Sequence, residues 1–168
     1  PPRVPHDDNP TGLYRRTFEL PPDWRGQRVF LRFEGVQSAY YVWLNGKKVG
    51  YKEDAFTPGE YDVTDKLRPG SNLVAVEVID HSDGSYLEDQ DYWRISGVFR
   101  DVTLVARPRA FIRDFTVKTD LDAAYRDATL DLSVVLQASR GHKVAVTLQN
   151  PAGETILSES LASPAEGE

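Results

Sequence analysis

An Asn-Gly pair between two short alternating segments constrains the fold of this chain more than any other feature. Residues 40–44 alternate along a short segment, Asn45-Gly46 follows, and residues 47–51 lead back. Asn-Gly is the strongest short-range signal for a β-hairpin, because both residues tolerate the positive φ of a type I′ turn. The period of two divides four side chains between two faces: Val42 and Leu44 on one, Tyr41 and Trp43 on the other.

Further short alternating segments continue this pattern before residue 108. They lie at residues 13–20, 29–33, 61–64, 73–79 and 98–106, separated by turns rich in Gly, Pro and Asp. Six or seven short strands at a spacing of roughly 8–12 residues predict an all-β fold, a β-sandwich. Residues 73–79 are apolar on both faces apart from Glu77, which is typical of a strand inside a sandwich.

The sequence predicts a second unit that is cut short. Arg107-Pro108-Arg109 interrupts the apolar rhythm, and four more alternating segments follow it. Four strands are too few to close a sandwich of their own. We therefore predict four parts: an extended arm at 1–12, a first domain at 13–108, an incomplete second domain at 109–161 and a disordered tail at 162–168. The chain begins Pro1-Pro2 and contains no methionine, so we expect a piece of a longer product.

Charge and composition exclude two classes of partner. A net charge of −6 over 168 residues argues against nucleic acid, whose phosphates need a basic surface. No apolar run approaches the length of a membrane span, and Lys and Arg are scattered along the chain. The absence of cysteine removes disulfides, thiolate nucleophiles and zinc–sulfur sites. It is compatible with a reducing cytoplasm, and we expect a cytoplasmic protein.

An acidic segment is the first candidate site. Residues 83–91 contain four carboxylates and the amide of Gln90, and Tyr92-Trp93-Arg94 follow at once. Carboxylates this close repel one another, so either water screens them or a cation or a hydroxyl-rich ligand uses them. Carboxylates accept hydrogen bonds from sugar hydroxyls while an aromatic ring packs on the apolar face of the sugar. From the residues alone, a solvated acidic turn and a ligand site both remain open.

Asn9 is the second candidate. It precedes Pro10, which biases the Asn9 backbone to an extended conformation. Its amide can then point away from the chain as donor and acceptor, or it can serve as an ordinary turn or cap asparagine.

The residues present give no complete catalytic site. His6, His81 and His142 lie far apart in no metal-ligand spacing, and the sequence has no phosphate-binding or nucleophile motif. Asp89 and Asp91 would lie about 7 Å apart in an extended segment. They share one environment, however, whereas a general acid and a base need different pKa values, so we do not assign them as a catalytic pair.

The three tryptophans have different expected places. Trp24 follows Pro21-Pro22-Asp23 and should cover one end of the sandwich, whereas Trp43, in the middle of the hairpin, is expected in the core. Trp93, two residues beyond Asp91, is the one that we connect with a candidate site.

With these residues laid out, the chain resembles the start of glycoside hydrolase family 2, which contains bacterial β-galactosidases, β-glucuronidases and β-mannosidases. Two motifs, Asn9-Pro10-Thr11-Gly12 and residues 83–94, are similar to the large lactose-cleaving β-galactosidases in particular. The broader family features are Tyr14-Arg15-Arg16-Thr17-Phe18, Trp24, Val42-Trp43-Leu44-Asn45-Gly46, Val49-Gly50 and Tyr61-Asp62-Val63-Thr64.

The resemblance implies a fold and a division of labour. It implies a jelly-roll, sugar-binding-type domain at 13–108 and the beginning of an immunoglobulin-like sandwich at 109–161. The catalytic carboxylates would lie in a downstream (β/α)₈ barrel that this chain does not contain, and would act by retaining hydrolysis. No catalytic residue is therefore expected in this fragment, which should be inactive alone.

The resemblance also assigns the two candidate residues. Asn9 matches an asparagine that contacts galactose, and Asp91 matches an aspartate that binds galactose and an active-site sodium ion. Asp83, Glu88 and Asp89 are left open, as loop-ordering residues or ligands of another cation, and Trp93 and Arg94 are read as local support. The implied partners are a β-galactoside substrate, the protein's own barrel domain, a magnesium ion and further copies in a homo-oligomer.

Two other classes of function compete with this reading. A stand-alone carbohydrate-binding module would hold sugar on the jelly roll alone, and a structural sandwich would bind neither sugar nor cation. The direction in which Asn9 and Asp91 point, towards a shared half-site or a complete groove, separates them.

Overall fold

The computed structural model describes residues 3–137 and 140–163. The chain forms two compact units that divide between Ala106 and Arg107. Antiparallel strands make up most of both, which confirms the predicted all-β class. Within the described ranges, every helix is too short and too polar to cross a membrane.

From residue 3 onward, the first unit contains nine strands and three short helical turns. One turn of α-helix, α1 (Gly84–Leu87), and two 3-10 turns, Pro22–Trp24 and Thr64–Lys66, connect the strands. The strands are β1 (Thr11–Glu19), β2 (Arg28–Phe33), β3 (Val36–Gln37), β4 (Ala39–Leu44), β5 (Lys47–Lys52), β6 (Gly59–Asp62), β7 (Ser71–Ile79), β8 (Gly97–Val98) and β9 (Val102–Arg107).

These strands form two larger sheets and one small one. The four-stranded sheet has the order β1-β7-β4-β5, the three-stranded sheet has the order β6-β2-β9, and β3 pairs with β8. Neighbours that are far apart in sequence, such as β1 and β7, are antiparallel. This order is the crossed connectivity of a sandwich rather than a simple meander.

The core lies between the faces that the alternation predicts. On β2, β4 and β7 every second side chain is buried. The aromatic rings of Phe33 and Tyr40 lie 5.1 Å apart at its centre. The buried alternating residues are Val29, Leu31, Phe33, Tyr40, Val42, Leu44, Val74, Val76 and Val78.

The hairpin is confirmed, but the place of Trp43 is not. Asn45 and Gly46 have φ of 53° and 80°, as a type I′ turn requires. Trp43 lies on the outer face of the four-stranded sheet with Tyr41, at a ring distance of 5.9 Å, while Val42 and Leu44 take the core. The expectation that Trp43 belongs to the core is wrong, because alternation defines two faces without saying which one is covered.

Two further expectations about the first unit have different outcomes. Trp24 packs against the core cluster at one end, as predicted. β7 is an inner strand of its sheet, but Leu73 on its outer face is 38% exposed. Within the described residues, β7 is thus fully covered on one face only.

In the residues that the structure describes, the second unit forms two hairpins. β10 (Phe111–Leu121) pairs with β11 (Ala128–Gln137), and β12 (Lys143–Gln149) pairs with β13 (Thr155–Ala162). The four predicted strands are therefore present, and that this unit is an incomplete sandwich stays a prediction. Ala162, placed in the predicted tail, ends β13, and residues 164–168 of that tail lie outside the described residues.

Candidate functional site

The register of β1 on β7 brings the two candidate motifs together. Thr11 lies opposite Ile79, so the residues before Thr11 run beside those after Ile79. The Asp80 backbone N–H donates to the Pro10 carbonyl at 3.1 Å and continues the ladder into the arm. The arm and the acidic segment therefore share one end of the first unit.

The side chain of Asn9 holds the arm to the backbone of His81. Its Nδ2 donates to the His81 carbonyl, and its Oδ1 accepts from the His81 backbone N–H, each at 2.8 Å. Further along, the Tyr86 hydroxyl donates to the Arg3 carbonyl at 2.9 Å. The side chain of Asn9 thus acts as a tether between two segments that lie 72 residues apart.

The tether leaves part of the Asn9 amide free. A carboxamide has two N–H donors and two acceptor lone pairs, and His81 takes one of each. Asn9 is only partly buried, so the remaining donor and lone pair can meet a ligand. The tether reading and the ligand reading of Asn9 are compatible.

The acidic segment begins as a helical turn instead of an extended strand. The Ser85 Oγ accepts from the Ser82 backbone N–H at 3.0 Å, and the Glu88 N–H donates to the Gly84 carbonyl at 2.9 Å. The Tyr92 N–H then donates to the Gln90 carbonyl at 2.9 Å, which closes a tight turn around Asp91. The extended geometry considered for Asp89 and Asp91 is therefore not formed.

The four carboxylates of this segment have different surroundings. Glu88 accepts the backbone N–H of Ala55 at 3.0 and 3.2 Å through its two oxygens, and Asp89 forms an ion pair with Arg94. Asp83 and Asp91 are exposed, and neither carboxylate has a hydrogen-bond or ion-pair partner within ranges 3–137 and 140–163. Both are available to an external ligand.

The site holds at most part of a metal centre. No cluster of three or more His, Asp or Glu side chains that could hold a metal occurs in the part of the chain that the structure describes. The carboxylate of Asp91 suits a hard cation such as sodium as one oxygen ligand. The remaining ligands of such a site would have to come from elsewhere.

The contacts of Tyr92 and Glu88 were not predicted from the sequence. The Tyr92 hydroxyl donates to the Glu88 carbonyl at 3.0 Å and accepts from Gln37 Nε2 at 3.1 Å. Its ring meets Phe56 edge-on, with centroids 5.2 Å apart. The sequence assigns no role to Glu88, and its partner Ala55 lies in a loop that carries no motif.

Trp93 is 87% exposed and projects from the acidic segment. Arg94 supports the segment through its ion pair with Asp89.

The loop that receives Glu88 is itself well ordered. Asp54, at φ 76°, accepts the Phe56 and Thr57 backbone N–H groups, each at 3.2 Å, and also the Thr57 hydroxyl. The hydrogen bond from the Thr57 hydroxyl is the main reason that the pKa of Asp54 is lowered to about 2. Ala55, next in the chain, is fully buried.

Comparison with protein families gives one match over most of the chain. Residues 1–108 match the model described as glycosyl hydrolases family 2, sugar binding domain. Among curated proteins, the chain is 49% identical over 159 residues to a β-galactosidase of Pseudoalteromonas haloplanktis, covering 95% of this chain and 15% of that protein. It is 52% identical over 133 residues to a β-galactosidase of Priestia megaterium, covering 79% and 13%. The chain thus spans about one seventh of these relatives.

Solved structures share the fold. A β-glucuronidase of an uncultured Clostridium species matches with a TM-score of 0.73 and 27% identity, over 88% of this chain and 27% of that one. A β-glucuronidase of Bacteroides uniformis matches with a TM-score of 0.77 over 90% of this chain and 19% of that one. At 23% identity, the second likeness shows the fold alone.

Proposed function

Because the chain belongs to glycosyl hydrolases family 2 through its sugar-binding domain, we propose that it is the non-catalytic amino-terminal part of a retaining β-galactosidase. The full-length protein would hydrolyse terminal β-D-galactosides such as lactose. Identities of 49% and 52% to bacterial β-galactosidases support this substrate class. The two catalytic carboxylates would lie in a downstream (β/α)₈ barrel, and the fragment alone would be inactive.

In this proposal, Asn9 and Asp91 contribute to the galactose subsite of the full-length protein. The observation that carries it is the junction of arm and acidic segment through Asn9 and His81, which gathers both motifs at one end of the unit. Asn9 keeps a free donor and acceptor for a sugar hydroxyl, and the exposed carboxylate of Asp91 can accept from another. A half-site of this kind needs the barrel to close it.

Sodium is proposed as a shared ion at Asp91. When bound, a sodium ion would offer a positive charge that attracts the oxygen of a sugar hydroxyl. Asp91 would give one carboxylate oxygen, and the barrel would complete the coordination. A magnesium ion, a homo-oligomeric assembly and a cytoplasmic location complete the proposal for the full-length protein.

The test is Asp91→Asn in the full-length protein. The amide keeps the shape of the side chain but loses its charge, so sodium activation and galactose affinity should weaken together. The measurement is the dissociation constant of a non-hydrolysable β-thiogalactoside, by calorimetry over a series of sodium concentrations. Asp89→Asn makes the same change two residues away and should leave the sodium dependence in place. An unaltered sodium dependence in Asp91→Asn would remove Asp91 from the site.

A second titration separates the competing classes. The isolated chain is titrated with galactose in sodium buffer and followed by amide NMR shifts. Saturable binding centred on Asn9 and Asp91 would favour a self-contained carbohydrate-binding module. Binding by the full-length protein but not by the fragment is expected for a shared site. Absence of sugar and sodium binding in both would leave a structural sandwich.

A further inference from the structure

The turn that carries Asp91 is held at both of its ends. At the first end, both oxygens of Glu88 lie within hydrogen-bond distance of the Ala55 N–H. At the second end, the Tyr92 hydroxyl bonds to Gln37, which is only 8% exposed, and to the Glu88 carbonyl. Residues 88 and 92 are thus joined to one another as well as to the body of the unit.

The two hydrogen-bond partners that hold this turn, Ala55 and Gln37, are buried. Ala55 is 0% exposed, and its loop is ordered by the hydrogen bonds to Asp54. Phe56 adds an edge-on contact with the Tyr92 ring at 5.2 Å and a second ring contact with Phe99 at 5.7 Å. The side chains of Glu88 and Tyr92 therefore contact the body of the unit, whereas the carboxylate between them does not.

Chemistry explains why such a support matters here. An exposed carboxylate on a loop samples many positions. A ligand that needs one of these positions binds with an affinity reduced in proportion to the fraction of time that the carboxylate spends there. Fixing the loop before binding removes that loss. The Asp91 turn contains one internal backbone hydrogen bond between residues 90 and 92, so its position depends on the side chains at its ends.

We propose that Glu88 and Tyr92 are positioning residues that hold Asp91 in place for its ligand. This proposal rests on the proposed function of Asp91. It assigns Glu88, which the sequence left open, to the support of the turn rather than to a second cation. Neither residue touches the sugar; each acts through the placement of the Asp91 carboxylate.

The test compares four variants of the full-length protein. Tyr92→Phe removes the hydroxyl and keeps the ring contact with Phe56, and Glu88→Gln keeps one acceptor for the Ala55 N–H. Glu88→Ala removes that acceptor altogether. Tyr51→Phe is the matched control, because its hydroxyl bonds to Glu53, two residues along the chain, and to none of residues 88–92.

The readout is the dissociation constant of a non-hydrolysable β-thiogalactoside at limiting and at saturating sodium. Loss of the two hydrogen bonds of the Tyr92 hydroxyl should weaken binding roughly three- to tenfold at limiting sodium for Tyr92→Phe. Saturating sodium should restore the affinity, because the Asp91 carboxylate is still present and a high sodium concentration shifts it to the position that binds the ligand. Glu88→Gln should be affected less than Glu88→Ala. Tyr51→Phe should bind as the wild type does.

Hydrogen–deuterium exchange gives a second readout that does not depend on activity. Residues 88–96 should exchange faster in Tyr92→Phe, while β2, β4 and β7 keep their protection. Wild-type affinity in both Tyr92→Phe and Glu88→Ala at all sodium concentrations would overturn the positioning role. A loss that persists at saturating sodium in Tyr92→Phe would also overturn it. Wild-type behaviour of Asp91→Asn would instead overturn the proposed function, so the two failures are distinct.

Discussion

Asn9 and His81 exchange two hydrogen bonds of 2.8 Å, the side chain of one residue with the backbone of the other. The pair imitates one rung of an antiparallel ladder, just before the first residue of β1 and just after the last residue of β7. A proline follows Asn9, and proline has no N–H of its own, so the side-chain amide supplies the donor that the local backbone lacks. The arm is therefore part of the fold of the first unit.

Asn9→Ala should loosen the arm and destabilise the first unit. Both hydrogen bonds to His81 are lost, and we expect a decrease of about 1–2 kcal/mol in the free energy of unfolding. Urea unfolding followed by tryptophan fluorescence measures it. Thr11→Val is the control, since the Thr11 hydroxyl makes only a 3.5 Å contact with the Asn9 carbonyl. A loss confined to sugar binding, with unchanged unfolding, would contradict the tether.

Asn72→Asp should be strongly destabilising. Asn72 is 1% exposed; its Nδ2 donates to the Arg68 and Gly70 carbonyls at 3.0 Å, and its Oδ1 accepts from Asn45 at 2.8 Å. A carboxylate would face two carbonyl oxygens, so we expect a loss of roughly 2–4 kcal/mol. Thermal unfolding measures it.

Gln27→Glu is the matched control for that substitution. It makes the same amide-to-carboxylate change at a half-buried side chain with one hydrogen bond, to the Asp23 carbonyl at 3.2 Å. Its effect should stay below about 1 kcal/mol. Equal losses of stability in the two variants would show that the burial of Asn72 does not determine the destabilisation.

Thr57→Val should reduce stability in a way that depends on pH. The Thr57 hydroxyl is the main cause of the low pKa of Asp54, about 2 against the ordinary 3.8. A carboxylate with a depressed pKa stabilises the fold above about pH 4, and this contribution disappears as pH falls to about 2. The side chain of Asp54 is 45% exposed, so solvent screening limits the difference to about 0.2–1 kcal/mol.

The measurement is urea unfolding of the wild type and Thr57→Val at several pH values between 6 and 2. The two unfolding free energies should differ at pH 6 and converge at low pH. A difference that stays constant over the whole range would contradict the link through Asp54.

Gly59→Ala should strain the core. A Cβ at Gly59 would overlap the hydroxyl oxygen of Tyr40, which is 1% exposed and has no room to move. Overpacking of this kind costs about 1–3 kcal/mol. Gly12→Ala is the comparison, because its Cβ would lie 3.1 Å from the ring of Tyr14, which is 44% exposed and can turn away. Thermal unfolding should rank Gly59→Ala as the less stable variant.

Much of the fold was predictable because strand residues obey a local rule. Alternation gave the faces of β2, β4 and β7, and Asn45-Gly46 gave the hairpin. The position of Trp43 was not predictable from alternation, because long-range packing determines which face of the sheet meets the second sheet. Its ring shares an outer face with Tyr41, on which the Lys48 ammonium sits 4.3 Å from the ring centre.

The two candidate motifs could be found in the sequence, but the contacts that support them could not. The motifs at Asn9 and at residues 83–94 were visible as local strings, and the β1–β7 register explains why they meet. The contact between Glu88 and Ala55 joins two loops, and no periodicity relates residues 33 positions apart. The helical turn of α1 was missed for a related reason, because a single serine hydroxyl at Ser85 starts it.

The pairing of β1 with β7 has a consequence for the order in which a ribosome delivers this chain. β1 is translated before β7, yet it lies at one edge of its sheet, and its neighbour there is β7. The nascent β1 must wait for every strand between them to be translated, while β2, β4 and β5 can already meet local partners. The arm with Asn9 therefore docks only after β7 has been made. Slow codons placed just after β7 would give the arm and β1 more time to dock before the following residues are translated.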